Sequence, residues 1–163
     1  SLIKTKEDQK KKNKNKKKKI KSKKRTIKTR INSIQKYHLE ENPERAKFFY
    51  EDLIMFIINC RHETLELHKR VFTMAETLEI QSEFYESSLI LDVADDYFHS
   101  IGMTKPSADM RTAFSNSIEE FKNFKQLVTK YKVLTESLTK LIRSFESDEY
   151  AFRKFSDLVN GKY

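Results

Sequence analysis

Two glycines, two prolines and one cysteine are all that 163 residues hold of the residue types that most often shape turns and staples. So few turn formers leave no room for a sheet with its hairpins and point to long helices. Cys60 is alone, which excludes a disulfide within the chain and makes a reducing compartment the natural setting. The longest uninterrupted apolar run, Leu53 to Ile58, is six residues, against the roughly 20 that a membrane-spanning helix needs. The amino-terminal stretch is basic but has no apolar core of the signal-peptide kind. There is no Gly-rich phosphate loop, no nucleophile elbow and no Cys/His dyad, so neither a catalytic residue nor a cofactor is expected. His38, His62, His68 and His99 are too dispersed for a metal site, and a lone cysteine adds no second ligand. Adjacent carboxylates at Asp95-Asp96 and Glu119-Glu120 diverge on a helix and read as solvated charge.

What is present divides sharply by charge. Residues 1–36 hold 17 Lys and Arg against two acids, and residues 37–163 hold 16 against 22, a net of +15 followed by a net of −6. The stretch 1–26 is a Lys/Asn-rich low-complexity arm with almost nothing to bury. Self-repulsion and the cost of ordering predict disorder when it stands alone. From 27 to 38, Ile27, Ile31 and Ile34 at i, i+4 and i+7 make a short basic amphipathic helix. Such a helix either inserts shallowly into a membrane interface or packs on the body as an extension. The arm's cations (Lys16, Lys17, Lys18, Lys19, Lys23, Lys24, Arg25, Lys28 and Arg30) are candidates for binding a polyanion. Anionic lipid, nucleic-acid phosphate, an import receptor and no partner at all are each compatible with that composition. No aromatic precedes Tyr37, which counts against base stacking.

The body, 39–163, is dominated by helical periodicity. Met110, Phe124, Tyr131, Leu138, Phe145, Phe152 and Val159 recur every seven residues, with Ser117 the one break in the row. A second row runs Phe114, Phe121, Val128 and then Leu134 and Leu141. Sustained recurrence of this kind describes one long helix with a buried seam, roughly 80 Å from Ser107 to Asn160. Upstream, Asn42-Pro43 reads as a helix start. From there the apolar face runs through Leu53, Ile57, Cys60, Leu67, Val71, Met74 and Leu78. It then shifts register to Phe84, Leu91, Ala94, Phe98 and Ile101. Gly102 is the expected stop, Pro106 a breaker, and Ser107 or Asp109 the next cap. Two long helices joined by about five residues fold back as an antiparallel hairpin. The expected fold is therefore all-α, an elongated coiled-coil hairpin with a disordered or partly helical basic arm. The chain opens with Ser and closes in what reads as helix, so it is expected to be part of something longer.

These residues resemble the BAR domains, in particular those preceding PH domains in GRAF/oligophrenin-type Rho GTPase-activating proteins and centaurin-type Arf GTPase-activating proteins. That subgroup opens its first long helix with an acidic-Ser-Pro signature, then an Arg and later a Glu. Here Leu39-Glu-Glu-Asn42-Pro43-Glu-Arg45 with Glu51 is similar, with Asn in place of Ser. Phe84-Tyr-Glu86-Ser87-Ser88-Leu89 and Ile101-Gly102 resemble the close of that helix. After the turn, Asp109-Met110, Ile118-Glu-Glu120-Phe121, Leu141-Ile-Arg-Ser-Phe145, Asp148-Glu149 and Lys162-Tyr163 follow in the family's order. A BAR domain also has a third long helix, which the likeness, spanning 39–163, does not include. The resemblance implies a homodimer that binds anionic membrane from the cytoplasmic side and senses or induces curvature. It also implies regulation of a small GTPase through other domains. Lys122, Lys125, Lys130 and Lys132 then join the arm as membrane-facing candidates, with Ile27, Ile31 and Ile34 inserting. The alternatives are an RNA-associated structural protein with a phosphate-binding tail, or a plain coiled-coil scaffold.

Overall fold

The computed structural model describes residues 2–39 and 43–159, with side chains described except at positions 2, 33–47, 155, 156, 158 and 159. It is all-α, and no strand occurs among the described residues. Among the described residues five α-helices follow in order: α1 (Leu2–Leu39), α2 (Pro43–Ser88), α3 (Ala94–Ser100), α4 (Ala108–Ser117) and α5 (Glu119–Val159), with a π-helical segment, Leu89–Val93, between α2 and α3. The expected two-helix hairpin is thus corrected to an architecture with three long helices. Asn42, the expected cap, lies outside the described residues. The chain divides into two compact units: Ser1–Lys10 with Val71–Thr135, and Lys11–Arg70 with Glu136–Tyr163.

The largest departure from expectation is α1. The Lys/Asn-rich arm is helical from Leu2 onward, and no break falls at the 26/27 boundary. The reason lies in its spacing. Ile3, Lys6, Lys10, Asn13, Lys17, Ile20, Lys24, Ile27 and Ile31 alternate three and four apart and are all buried or half-buried. Between Lys4 and Asn32, every other described side chain except Lys23 is exposed. This is a seam row in which lysines occupy inward positions, Lys6 reaching Met74 Sδ at 3.2 Å and Lys24 reaching Asp148 at 3.7 Å.

In the second unit, three helix segments pack against one another. Lys23–Glu63 (2.8 Å) and Arg30–Asp52 (3.3 Å) tie α1 to α2 running the opposite way. Tyr50 packs on Phe152 with ring centroids 4.9 Å apart, and His68 bonds Thr139 at 3.0 Å, so α5 is antiparallel to α2. The core is Leu53, Ile57, Leu67, Leu138, Phe145 and Phe152 with Ile20 and Ile27 from α1. Each such side chain removed from water contributes about 1.5–3 kcal/mol. Two polar residues sit among them. The Thr64 hydroxyl donates to Cys60 O at 2.7 Å, and the buried Glu149 accepts from Arg61 (2.6 Å) and Arg153 (3.0 Å).

In the first unit, the buried row of α2 is Val71, Ala75, Leu78, Ser82 and then Leu89, continuing to Ala94 and Phe98 in α3. The step from Leu89 to Ala94 is five residues, and the π turn absorbs the extra one so that the row stays aligned. Arg111 from α4 donates to the freed Ile90 carbonyl at 3.2 Å and pairs with Asp95 at 2.7 Å. The register shift read from the sequence is real, but its consequence is corrected. Phe84 is 74% exposed and Leu91 65% exposed, so neither belongs to the seam. Leu78, Phe98, Phe124 and Tyr131 do belong to it, and Met74 is half-buried at its edge.

The turn after α3 follows expectation. Gly102 takes φ 85°, its N–H donates to His99 O, and Met103 N–H donates to Phe98 O. These two bonds close a Schellman motif, which needs a left-handed residue at that position. Ser107 caps α4, its hydroxyl accepting from Met110 N–H at 3.2 Å. The single helix expected from Ser107 onward is instead broken at Ile118, whose ψ is 117°. Ser115 and Ser117 turn their hydroxyls onto the Thr112 and Phe114 carbonyls, and Ile118 N–H bonds Ser115 O. Such local bonds compete with continuation of the helix. The break falls where Ser117 interrupts the seven-residue row.

Candidate polyanion-binding face

In the second unit α1 carries two rows with three-four spacing, the second one residue on from the first and so about 100° around the helix. The inner row, Asn13, Lys17, Ile20, Lys24, Ile27 and Ile31, faces the packed core. The outer row is Lys11, Lys14, Lys18, Lys21, Arg25 and Lys28, and all six are exposed. At 1.5 Å per residue these cations lie along roughly 26 Å of one line, about 5 Å apart. Among the described residues none of the six makes an ion pair. Sequence reasoning named Lys18, Arg25 and Lys28 but missed Lys11, Lys14 and Lys21. Only the inward row fixes which lysines share the outer face, and that row is hidden when lysines occupy its slots.

The other predicted arm residues separate by side. Lys16 and Lys19 are exposed on the other flank of the inner row, away from the outer row. Lys17, Lys23 and Lys24 are half-buried, and Arg30 is exposed yet engaged. Lys23 pairs with Glu63, and the hydrogen bond that its ammonium donates to that carboxylate holds its pKa above the usual lysine range. Lys24 reaches Asp148 at 3.7 Å and lies 5.8 Å over the Phe145 ring. Arg30 lies 4.9 Å over the Phe56 ring while pairing with Asp52. Lys17 is pushed below the ordinary lysine value, first by burial and then by Lys21 and Lys14. At Lys17 docking and charge oppose each other.

The insertion triad is corrected. Ile27 is 1% exposed and Ile31 half-buried against the core, so neither is presented to a lipid interface in this arrangement. The Ile34 side chain lies outside the described residues. The predicted lysines of α5, in the first unit, form no continuous face. Lys132 pairs with Glu79, Lys122 with Glu119, and Lys125 bonds Asn116 and lies over the Phe121 ring at 4.8 Å. Lys130 is exposed.

The remaining polar chemistry is structural. Cys60 is buried, and burial pushes its thiol above the usual value. His62 is exposed, His99 bonds the Asp95 carbonyl at 2.7 Å, and His38 lies outside the described side chains. Among the described residues, no group of three or more His, Cys, Asp or Glu is placed to hold a metal ion. No described helix is long and apolar enough to cross a membrane. Compared with known proteins, the chain matches no family model, no curated protein and no solved structure.

Proposed function

We propose that this chain is a non-catalytic helical module that adheres to anionic membrane surfaces through the outer face of α1. One observation supports this above the rest: the straight row Lys11, Lys14, Lys18, Lys21, Arg25 and Lys28, exposed and without ion-pair partners among the described residues. A straight row suits a planar sheet of lipid phosphates, where each cation near the surface contributes about 1 kcal/mol. The helix is held on its inner side, so its cations do not each pay the ordering cost that a disordered tail would. The membrane reading is favoured over base-stacking recognition of single-stranded nucleic acid because α1 offers no aromatic side chain before Tyr37.

Co-sedimentation of the full chain with vesicles of phosphatidylcholine containing phosphatidylserine, against phosphatidylcholine alone, tests the reading. Replacing Lys14, Lys18, Lys21 and Arg25 by Gln removes about 4 kcal/mol of attraction, on the order of a thousandfold in affinity. The same number of substitutions at Lys122, Lys125, Lys130 and Lys132 is expected to cost far less. Equal losses from the two sets, or no binding to the anionic vesicles at all, sinks the proposal. Tighter binding to small vesicles than to large ones extends it to curvature sensing.

A further inference from the structure

In the first unit one face of α2 and the π segment is left uncovered by the described residues. Ile80 is 53% exposed, and it lies with Phe84 and Leu91 on the side away from the buried row Leu78, Ser82 and Leu89. Glu76, Glu83 and Asp92 border this stripe and are themselves exposed. The surroundings are acidic as a whole: residues 71–120 contain ten Asp and Glu against Lys105 and Arg111. The field of Glu76 and Glu83 still reaches Lys132 after its bond to Glu79, and both raise its affinity for a proton. An apolar stripe of this exposure on a soluble face marks an interaction site.

We infer that this face docks a basic amphipathic helix of another protein, one with apolar residues three and four apart flanked by Lys or Arg. The form follows from the stripe, which is one side chain wide and roughly 16 Å long from Ile80 to Leu91, the footprint of a helix laid along a helix. The charge follows from its border. A second copy pairing through the same face would set Glu76 and Glu83 against the carboxylates of its mate, and like charges at a contact oppose association. The outer row of a second copy's α1 would answer the acids but leave Phe84 and Leu91 uncovered, since it contains only Lys and Arg.

The test uses the full chain and a fluorescein-labelled three-heptad peptide with Leu at the seam positions and Lys around them, read by anisotropy. A peptide with Glu replacing every Lys is its counterpart. The Lys peptide is expected to bind at this face, and uptake of the Glu peptide by the α1 row is expected to be unaffected by substitutions at this face. Phe84→Ser/Leu91→Ser and Glu76→Lys/Glu83→Lys should each weaken binding at least tenfold. Glu136→Lys/Glu146→Lys, on the exposed side of α5, should change it less than twofold. All substituted side chains are exposed, and circular dichroism checks that helix content is retained. Absence of Lys-peptide binding, or its indifference to the Phe84/Leu91 and Glu76/Glu83 substitutions, overturns the inference. A dimer in sedimentation that dissociates on Phe84→Ser/Leu91→Ser also overturns it, by giving the face to a second copy.

Discussion

Within the second unit, α1 and α5 lay the same three-four ladder against the core and fill it with opposite chemistry. The inward positions of α5 are Leu138, Leu141, Ile142, Phe145 and Phe152, all buried, with Glu149 held between two arginines. Those of α1 are Asn13, Lys17, Ile20, Lys24, Ile27 and Ile31, of which only Ile20 and Ile27 are fully buried. Spacing decides which side of a helix is turned inward, whereas side-chain chemistry decides how firmly it stays there. α5 is a core element. α1 is held by a few isoleucines and lysine stems, and turns the rest of its charge outward.

Breaking each ladder measures the difference. Phe145→Ala in α5 is expected to cost about 3–5 kcal/mol and Ile27→Ala in α1 about 2–3 kcal/mol, by denaturant unfolding followed by circular dichroism. The sharper distinction is in extent. Phe145→Ala lowers the midpoint of the whole second unit, whereas Ile27→Ala releases α1 first, as hydrogen exchange confined to its amides. Equal loss of protection in α1, α2 and α5 from Ile27→Ala would show α1 to be as integral as α5.

A smaller effect is expected at the buried carboxylate. Glu149→Gln keeps the shape but removes the charge that Arg61 and Arg153 share, at a cost of about 1–3 kcal/mol. A variant as stable as the parent would mean that the desolvation of these groups already offsets their attraction.

The comparison can also be narrowed by giving α1 a residue of the α5 kind. Burial lowers the Lys17 pKa, so the charged side chain opposes docking at neutral pH. Lys17→Leu should stabilise α1 by about 1 kcal/mol, while Lys18→Leu, on the outer row, should stay within about 0.5 kcal/mol of the parent. Destabilisation by Lys17→Leu would place that position outside the seam.

The smallest effect at neutral pH is reserved for Tyr50, whose phenol burial pushes up to about 12. An unfolded tyrosine titrates near pH 10. The folded chain keeps the group neutral, so its contribution is full below pH 10 and is lost as pH rises toward about 12. Tyr50→Phe should flatten the alkaline fall in stability over that window, leaving the parts due to Tyr131, Tyr85 and Cys60, which burial shifts the same way. An unchanged pH profile would place the alkaline transition elsewhere.

The all-α class, the turn at Gly102, the Ser107 cap and the seam from Phe124 to Phe152 were all legible in the sequence. Each rests on local chemistry or on apolar residues at seam positions. Three features were not legible, for separate reasons. The α1 ladder is written largely in lysine, and a search for apolar periodicity passes over it. Phe84 and Leu91 are seven apart and share a side, but each falls two residues after a buried position, Ser82 and Leu89, so a count in sevens from Phe84 follows the exposed side. The break at Ile118 needs neither Gly nor Pro, only serines that bond their own helix. The basic arm was legible as a charge, but the choice of Lys11, Lys14 and Lys21 as members of its exposed row depends on knowing which side of α1 is covered.

Central to this account is that α1 is a docked helix and not a loose tail. Hydrogen exchange of the amides from 17 to 31 in the full chain tests that directly. The account predicts protection well above that of an unstructured peptide, lost when Ile20 and Ile27 are both replaced by Asp. Exchange at unstructured rates in the parent chain, with or without those substitutions, would contradict it.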